Sequence, residues 1–205
     1  MQPVETETSL VEALRAGDEA AFRALVREYA PAMLRVARLY VGSRAVAEEV
    51  VQEAWLGVLN GIRSFEGRST LKTWIFRILT NIAKTRGQRE GRSIPFSALA
   101  GDESEPAVDP DRFLGEDSRW PGHWASPPRS FGPEEQLLSD ETMRVVEGAI
   151  AELPPSQALV ITMRDVEGFS AEEARNALDF SETNQRVLLH RARSKVRQAL
   201  EDYLG

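Results

Sequence analysis

The chain has 205 residues, 42% hydrophobic and 28% charged, with a formal net charge of −7, proportions ordinary for a soluble globular protein of one or two small domains. Cysteine is absent and only His123 and His190 carry imidazole, so disulfides, thiol catalysis and Cys-based zinc sites are excluded and His chemistry is thinly supplied. No apolar run approaches the roughly 18 residues of a membrane span and MQPVETETSL lacks the build of a secretory signal, so the expectation is a cytoplasmic protein without metal or cofactor.

Helical periodicity dominates the first ninety residues. DEAAFRALVREYAPAMLRVARLYV places Phe22, Leu25, Val26, Tyr29, Met33, Val36, Ala37 and Tyr40 at three- and four-residue steps, with Pro31 predicting a kink or break near Ala30. AVAEEVVQEAWLGVLNGI predicts a second helix, with Val46, Val50, Ala54 and Leu56 inward and Gly61 near its end. STLKTWIFRILTNIAKTR predicts a third, with Leu71, Ile75, Ile78 and Ile82 on one stripe and Thr73, Arg77, Asn81 and Lys84 on a separate polar one. Gly87 is the expected stop.

The composition then changes. Seven prolines lie between Ser93 and Pro133, among many acids and without helical period, which predicts a linker or a segment ordered by a partner. Phe113, Trp120, Trp124 and Phe131 are unusual in a passive spacer: they either cluster against a neighbouring domain or dock on a partner.

Helical pattern returns at EEQLLSDETMRVVEGAIAEL, stops at Pro154-Pro155, and resumes in SQALVITMRDVEG up to Gly168. Ser170 and Glu173 form the S-x-x-E capping box that opens a short helix, AEEARNAL. After Asp179-Phe180-Ser181, with Ser181 as N-cap, comes a basic helix. Two helices joined by so short a turn, the second one basic, are a helix-turn-helix candidate.

Charge is segregated along the chain. Residues 93–140 hold 3 basic and 10 acidic residues, whereas 61–92 holds 8 basic residues against Glu66 and Glu90. The second basic island runs from Arg186 to Arg197, where Arg186, His190, Arg193 and Arg197 make one stripe beside an apolar stripe of Leu189, Ala192, Val196, Leu200 and Tyr203. Such a helix packs on its own domain while turning a basic flank to a phosphate backbone; a solvated basic helix end is the alternative. In the first island, FEGRSTLKTWIFR mixes Phe65, Trp74 and Phe76 with Arg68, Lys72 and Arg77, a combination suited to unstacked bases. Core packing is the competing explanation for Trp74. Glu48, Glu49 and Glu53 have no His or metal-ligand pattern beside them, and neither a phosphate-binding glycine loop nor an activated nucleophile is found, so an enzyme is not expected. These acids form either a solvated helix face or a patch for a basic partner.

In this order, AEEVVQEAWLGVL, FEGRSTLKTWIFRILTNIA and LPPSQALVITMRDVEGFSAEEARNALDFSETNQRVLLHRARSKVRQAL resemble segments of the extracytoplasmic-function (ECF) sigma factors of bacterial RNA polymerase. The resemblance implies an all-α fold: an N-terminal domain over 1–92, an acidic linker over 93–133, and a helix-turn-helix domain over 134–205. It implies that Glu48, Glu49, Gln52 and Glu53 contact the clamp helices of the polymerase core, with the flap as a further contact of the protein. Phe65, Arg68, Ser69 and Thr70 would belong to the loop that captures a flipped base, with Lys72, Trp74, Arg77, Asn81 and Lys84 near melted minus-ten DNA. Ser181, Glu182, Thr183, Asn184, Arg186, Val187 and Arg191 would face the minus-thirty-five duplex. The partners implied are polymerase core, promoter DNA in duplex and melted form, and an anti-sigma factor. The sequence departs from the family pattern at Thr85, Ala158, Ala174-Arg175 and, most of all, ETNQRV, where promoter choice would reside. A helix-turn-helix regulator acting without polymerase would leave AEEVVQE and STLKTWIFRI without a role, and a protein–protein adaptor would leave both basic islands unexplained.

Overall fold

A computed structural model describes residues 3–91 and 139–204. The expected linker, with Phe113, Trp120, Trp124 and Phe131, lies outside the described residues. Among those described, every regular element is helical.

The first group comprises α1 (Pro3–Arg15), α2 (Glu19–Arg38), α3 (Arg44–Gly61), a single 3₁₀ turn (Ile62–Ser64) and α4 (Leu71–Arg89). Short polar side chains start three of these helices by satisfying amides that a first turn leaves open. Asp18 accepts from the amides of Ala20 and Ala21 at 2.8 and 3.1 Å, Ser43 from Val46 at 3.2 Å, and Thr70 from Thr73 at 3.2 Å. The α4 start is tied to α1 as well, because the Leu71 amide donates to Glu7 Oε1 at 2.6 Å. The core is the junction of α2, α3 and α4: Met33, Val36, Val50, Ile75, Phe76 and Leu79 lose essentially all exposure. Full burial of such side chains stabilises by about 1.5–3 kcal/mol each. Burial, then the neighbouring Glu28, pushes the Tyr29 phenol up to about 12, so it stays neutral against Phe76.

Several expectations are corrected here. The chain runs through Pro31 as one helix, without a break. Pro31 and Arg27 are both exposed, so the carbonyl that loses its donor faces water, while buried neighbours on the other side hold the helix together. Leu56 points outward, 60% exposed, because the inward face of α3 is Ala47, Val50, Val51, Ala54, Trp55 and Val58. On α4 the innermost stripe is Leu71, Ile75, Phe76, Leu79 and Ala83, with Ile78 and Ile82 only partly buried. Thr73, expected on the polar stripe, is buried. Gly87 is a buried position inside α4, and the chain turns only at Gly91, whose φ of 71° is the left-handed conformation that favours glycine.

The second group contains α5 (Ser139–Ala151), α6 (Pro155–Ile161) with a wider π turn over Thr162–Val166, α7 (Ala171–Leu178) and α8 (Glu182–Leu204). Helix α8 packs along α5 and α6 through Leu188, Leu189, Ala192 and Val196. Tyr203, expected on that apolar stripe, is 39% exposed, and its phenol hydrogen-bonds Glu141 of α5. The Ser170 capping box forms as expected: Glu173 N donates to Ser170 Oγ at 3.1 Å and Ser170 N to Glu173 Oε2 at 2.9 Å. Asp179 closes α7 in the left-handed conformation (φ 60°), and Ser181 caps α8 by accepting from Asn184 N at 3.2 Å. That pair of caps makes the tight turn of the helix-turn-helix.

The two groups meet along α4. The small residues Ala174 and Ala177 let α7 lie close against it, and Thr80 Oγ1 donates to the Ala177 carbonyl at 2.7 Å in a buried contact. Phe169 stacks edge-on against Phe76, 4.9 Å between ring centres, and both rings are fully buried. At the rim, Arg35 forks onto Glu167 at 2.7 and 3.3 Å. That hydrogen-bonded carboxylate raises the Arg35 pKa despite partial burial. The Arg35 side chain is 53% exposed and that of Glu167 only 8%, so the pair is half open to solvent; the fully buried phenylalanine pair adds apolar burial to the junction.

Candidate nucleic-acid interface

Three surfaces hold the sequence-predicted residues. On α3, Glu48, Glu49, Gln52 and Glu53 are all exposed on one side, joined by Leu56. Glu48 pairs with Arg44 at 2.8 Å and Glu49 pairs with Arg86 on α4. Spacing alone assigns Leu56 to the core, yet it follows Glu49, Gln52 and Glu53 at three- and four-residue steps; that register was the available signal for an exposed apolar residue on an acidic face.

The second surface is a cleft of about 570 Å³ running from the loop before α4 onto the helix. Phe65 and Trp74 form its floor, their ring centres 5.1 Å apart and tilted by 49°. Phe65 is buried, and its carbonyl accepts from Arg15 Nη2, which fixes the loop to α1. Trp74 is half-buried and lies over Gly61, where a Cβ would come within 3.0 Å of the indole, so that glycine is required by close approach. Trp74 therefore packs over Gly61 on one side and lines the cleft on the other. Arg68, Ser69, Arg77 and Asn81 line it as well, with Arg68 held by Glu66. Lys84 is exposed on the same helix but is not among the lining residues. Two predicted residues are engaged elsewhere. Thr70 Oγ1 donates to Glu173 Oε1 at 2.9 Å, and Lys72 Nζ donates to the Glu167 carbonyl at 2.8 Å while sitting 4.0 Å above the Phe169 ring.

The third surface is the start of α8. Ser181, Glu182, Thr183 and Arg186 are exposed, Asn184, Val187 and Arg191 are half-buried, and all lie within the first three turns. Ser181 is spent on the cap and Glu182 lies 3.5 Å from Arg175 of α7, leaving Arg186 and Asn184 as the strongest base-edge chemistry. Arg193, expected on the basic stripe, instead forks onto Asp165 at 2.7 and 2.8 Å, and that carboxylate raises its pKa. Glu167 and Asn176 carry no local signal in the sequence, and Glu173 only that of its capping box; each reaches a predicted residue or its cleft from a distant part of the chain. Among the described residues no acidic or histidine cluster suits a metal ion, and no helix is long and apolar enough to cross a membrane.

One helical chain thus carries an acidic helix face, an aromatic cleft with basic walls and a helix-turn-helix. Residues 25–93 match Sigma-70 region 2 and residues 143–196 match Sigma-70 region 4. The chain is 30% identical to the ECF RNA polymerase sigma-E factor of Haemophilus influenzae over 96% of both chains. It is 32% identical to that of Escherichia coli, covering 93% of this chain and 92% of that one, and 30% identical to the RNA polymerase sigma-H factor of Pseudomonas aeruginosa, covering 98% and 96%. This chain belongs to the ECF sigma factor family. Among solved structures, CnrH in complex with the cytosolic domain of CnrY is similar, with a TM-score of 0.58 at 19% identity over 96% of this chain and 97% of that one. So is the sigma factor RpoE in complex with the anti-sigma factor NepR from Bartonella quintana, with a TM-score of 0.56 at 23% identity, covering 88% and 96%.

Proposed function

We propose that the chain is the promoter-specificity subunit that brings RNA polymerase core to a small set of promoters and opens them, without catalysing a reaction itself. The observation that carries this reading is the pairing of two DNA-suited surfaces of different kinds on separate helical groups. The cleft of Phe65, Trp74, Arg68 and Arg77 offers π-faces beside cations, which suits unstacked bases of a melted minus-ten element. The capped start of α8, with Asn184 and Arg186, suits the major groove of a minus-thirty-five duplex. Exposed Glu48, Glu49, Gln52, Glu53 and Leu56 form the docking face for the basic clamp helices of core. The chain acts in the cytoplasm, where polymerase and DNA are. The solved relatives bound to CnrY and NepR support an anti-sigma partner here also. The domain limits proposed are 1–92 and 134–205, with the acidic segment 93–133 joining them.

Run-off transcription with purified core on a pool of genomic fragments tests the reading and returns the promoter sequence. Discrete transcripts that require this chain are the expected result. Duplex binding with no co-elution with core would favour the regulator without polymerase.

A further inference from the structure

Helix α1 holds no residue assigned to DNA or to core, yet it reaches both ends of the loop that precedes α4. At the loop's entrance Arg15 Nη2 donates to the Phe65 carbonyl, and Arg15 Nε reaches the Ile62 carbonyl at 3.4 Å. At its exit the Leu71 amide donates to Glu7 Oε1 at 2.6 Å. That amide is one of those a first turn leaves open, and the Thr70 cap does not take it, because Thr70 Oγ1 accepts from Thr73. A carboxylate from another helix fills the gap and complements the positive end of α4. Glu7 and Arg15 stand eight positions apart, about 12 Å of rise along one rigid helix. The chain from Phe65 to Leu71 could extend to about 20 Å if its ends were loose. Anchored at both ends it arches instead, with Gly67 at a φ of 69° supplying the bend. The helix itself is seated by buried Val11 and Leu14, against α2 and the 3₁₀ turn. Neither Glu7 nor Arg15 lines the aromatic cleft, whereas Phe65, Arg68 and Ser69 of the loop do.

We propose that Arg15 and Glu7 are positioning residues, and that α1 is a brace holding this loop at a fixed width for an unstacked base. The consequence for DNA rests on the proposed function; the brace itself does not. With both anchors formed, the loop is ordered before a base arrives, and binding adds little ordering cost. With either anchor lost, only the molecules whose loop is correctly arched take a strand, and the apparent affinity falls by that fraction.

Glu7 gives the sharper test, because charge and brace predict different patterns. Glu7→Ala and Glu7→Gln remove the same negative charge, which favours a polyanion equally in both, but only Gln keeps an oxygen for the Leu71 amide. With a fluorescent single-stranded DNA of random sequence as the probe, Glu7→Ala is expected to bind about fivefold more weakly than Glu7→Gln. A fluorescent duplex of random sequence, read through α8, is expected to bind both alike. Arg15→Ala should lose about tenfold on the single strand, with the slope of affinity against salt unchanged, because no phosphate contact goes. Arg15→Lys keeps the charge without the fork and should stay below wild type. Hydrogen exchange at the Phe65 and Leu71 amides, which close the two ends of the loop, should quicken in Arg15→Ala and Glu7→Ala and stay slow in Glu7→Gln. Unchanged exchange in both alanine variants overturns the brace. Equal strand affinity of Glu7→Ala and Glu7→Gln, or a difference matched on the duplex, overturns the positioning role of Glu7. A salt slope lowered by roughly 0.7 in Arg15→Ala, or full recovery in Arg15→Lys, would make Arg15 a phosphate contact and overturn its positioning role. Absence of strand binding in the wild type overturns the reading of the cleft under the proposed function, and the exchange rates then decide the brace alone.

Discussion

The two basic helices, α4 and α8, meet the rest of the molecule through different sides. On α4, the residues that face the C-terminal group include Lys72 and Thr80, so part of its polar surface serves the fold. On α8 the internal pairing lies further along: Arg193 is held by Asp165, while the first turns keep Thr183 and Arg186 exposed. Similar basic composition thus meets the fold in two ways, and under the proposed function it would serve two uses. A duplex presents its phosphates on a rigid, preformed surface, so a reader of duplex works from an open helix start. Position along each helix, rather than charge content, separates the two.

The largest effect expected on this contrast comes from Phe169→Ala. It removes a fully buried ring from the junction of the two groups, and a loss of about 3–5 kcal/mol is expected in urea unfolding. Amide exchange should rise along the Thr70, Thr73 and Thr80 side of α4 more than in α3. A uniform rise would show that Phe169 supports the whole core rather than the junction. Arg186→Ala acts on the other helix and should leave stability nearly unchanged, being exposed. Duplex affinity should fall by about 1–3 kcal/mol with relaxed sequence preference if Arg186 reads a base edge. A loss equal on all sequences, with the salt slope reduced by about one, would instead make it a phosphate contact.

Trp74→Ala sharpens the comparison within α4. Loss of one stacking face is expected to remove about 1–2 kcal/mol from strand capture, seen as slower opening of a promoter labelled with 2-aminopurine. Recruitment to the closed duplex should be nearly unaffected. Because Trp74 also packs over Gly61 and against Phe65, urea unfolding has to accompany the kinetics; a stability loss with normal opening would leave it a packing residue only.

What could be read from the sequence follows the range of the interactions involved. The capping box at Ser170 and Glu173, the turn at Asp179 and the cap at Ser181 depend on residues three or four apart, and each forms where expected. Three helices of the first group, α2, α3 and α4, were legible from periodicity because their cores repeat at helical spacing, whereas α1 was not read from the sequence. A break at Pro31 does not form, because its effect depends on whether the orphaned carbonyl meets water, which is a tertiary fact. Leu56 and Thr73 misled for the same reason in opposite senses: one apolar residue is left outside, and one polar residue is buried with its hydroxyl paired to Thr70. Thr80 with Ala177, or Thr70 with Glu173, joins residues about a hundred positions apart, and no local pattern announces such a pair. The resemblance to a family named the surfaces but not that one of them is covered.

Glu173 is where the local and the distant meet, and its replacement makes the smallest of these predictions. Burial works to raise its pKa, but the hydrogen bonds from the Ser170 amide and the Thr70 and Ser170 hydroxyls, with the Lys72 charge nearby, bring it below the usual carboxylate range. A carboxyl held low in the folded state stabilises above its unfolded pKa, and that contribution is lost as pH falls through the folded one. In Glu173→Gln the amide oxygen still accepts from Ser170 or Thr70, so only the charge-dependent part goes, about 0.5–1 kcal/mol at neutral pH. The expected signature is a gap between wild type and variant in urea unfolding at pH 7 that narrows on acidification to about pH 3. A gap independent of pH would mean that Glu173 acts through shape at the α7 cap, and that its charge adds nothing to the hold on Thr70 and Lys72.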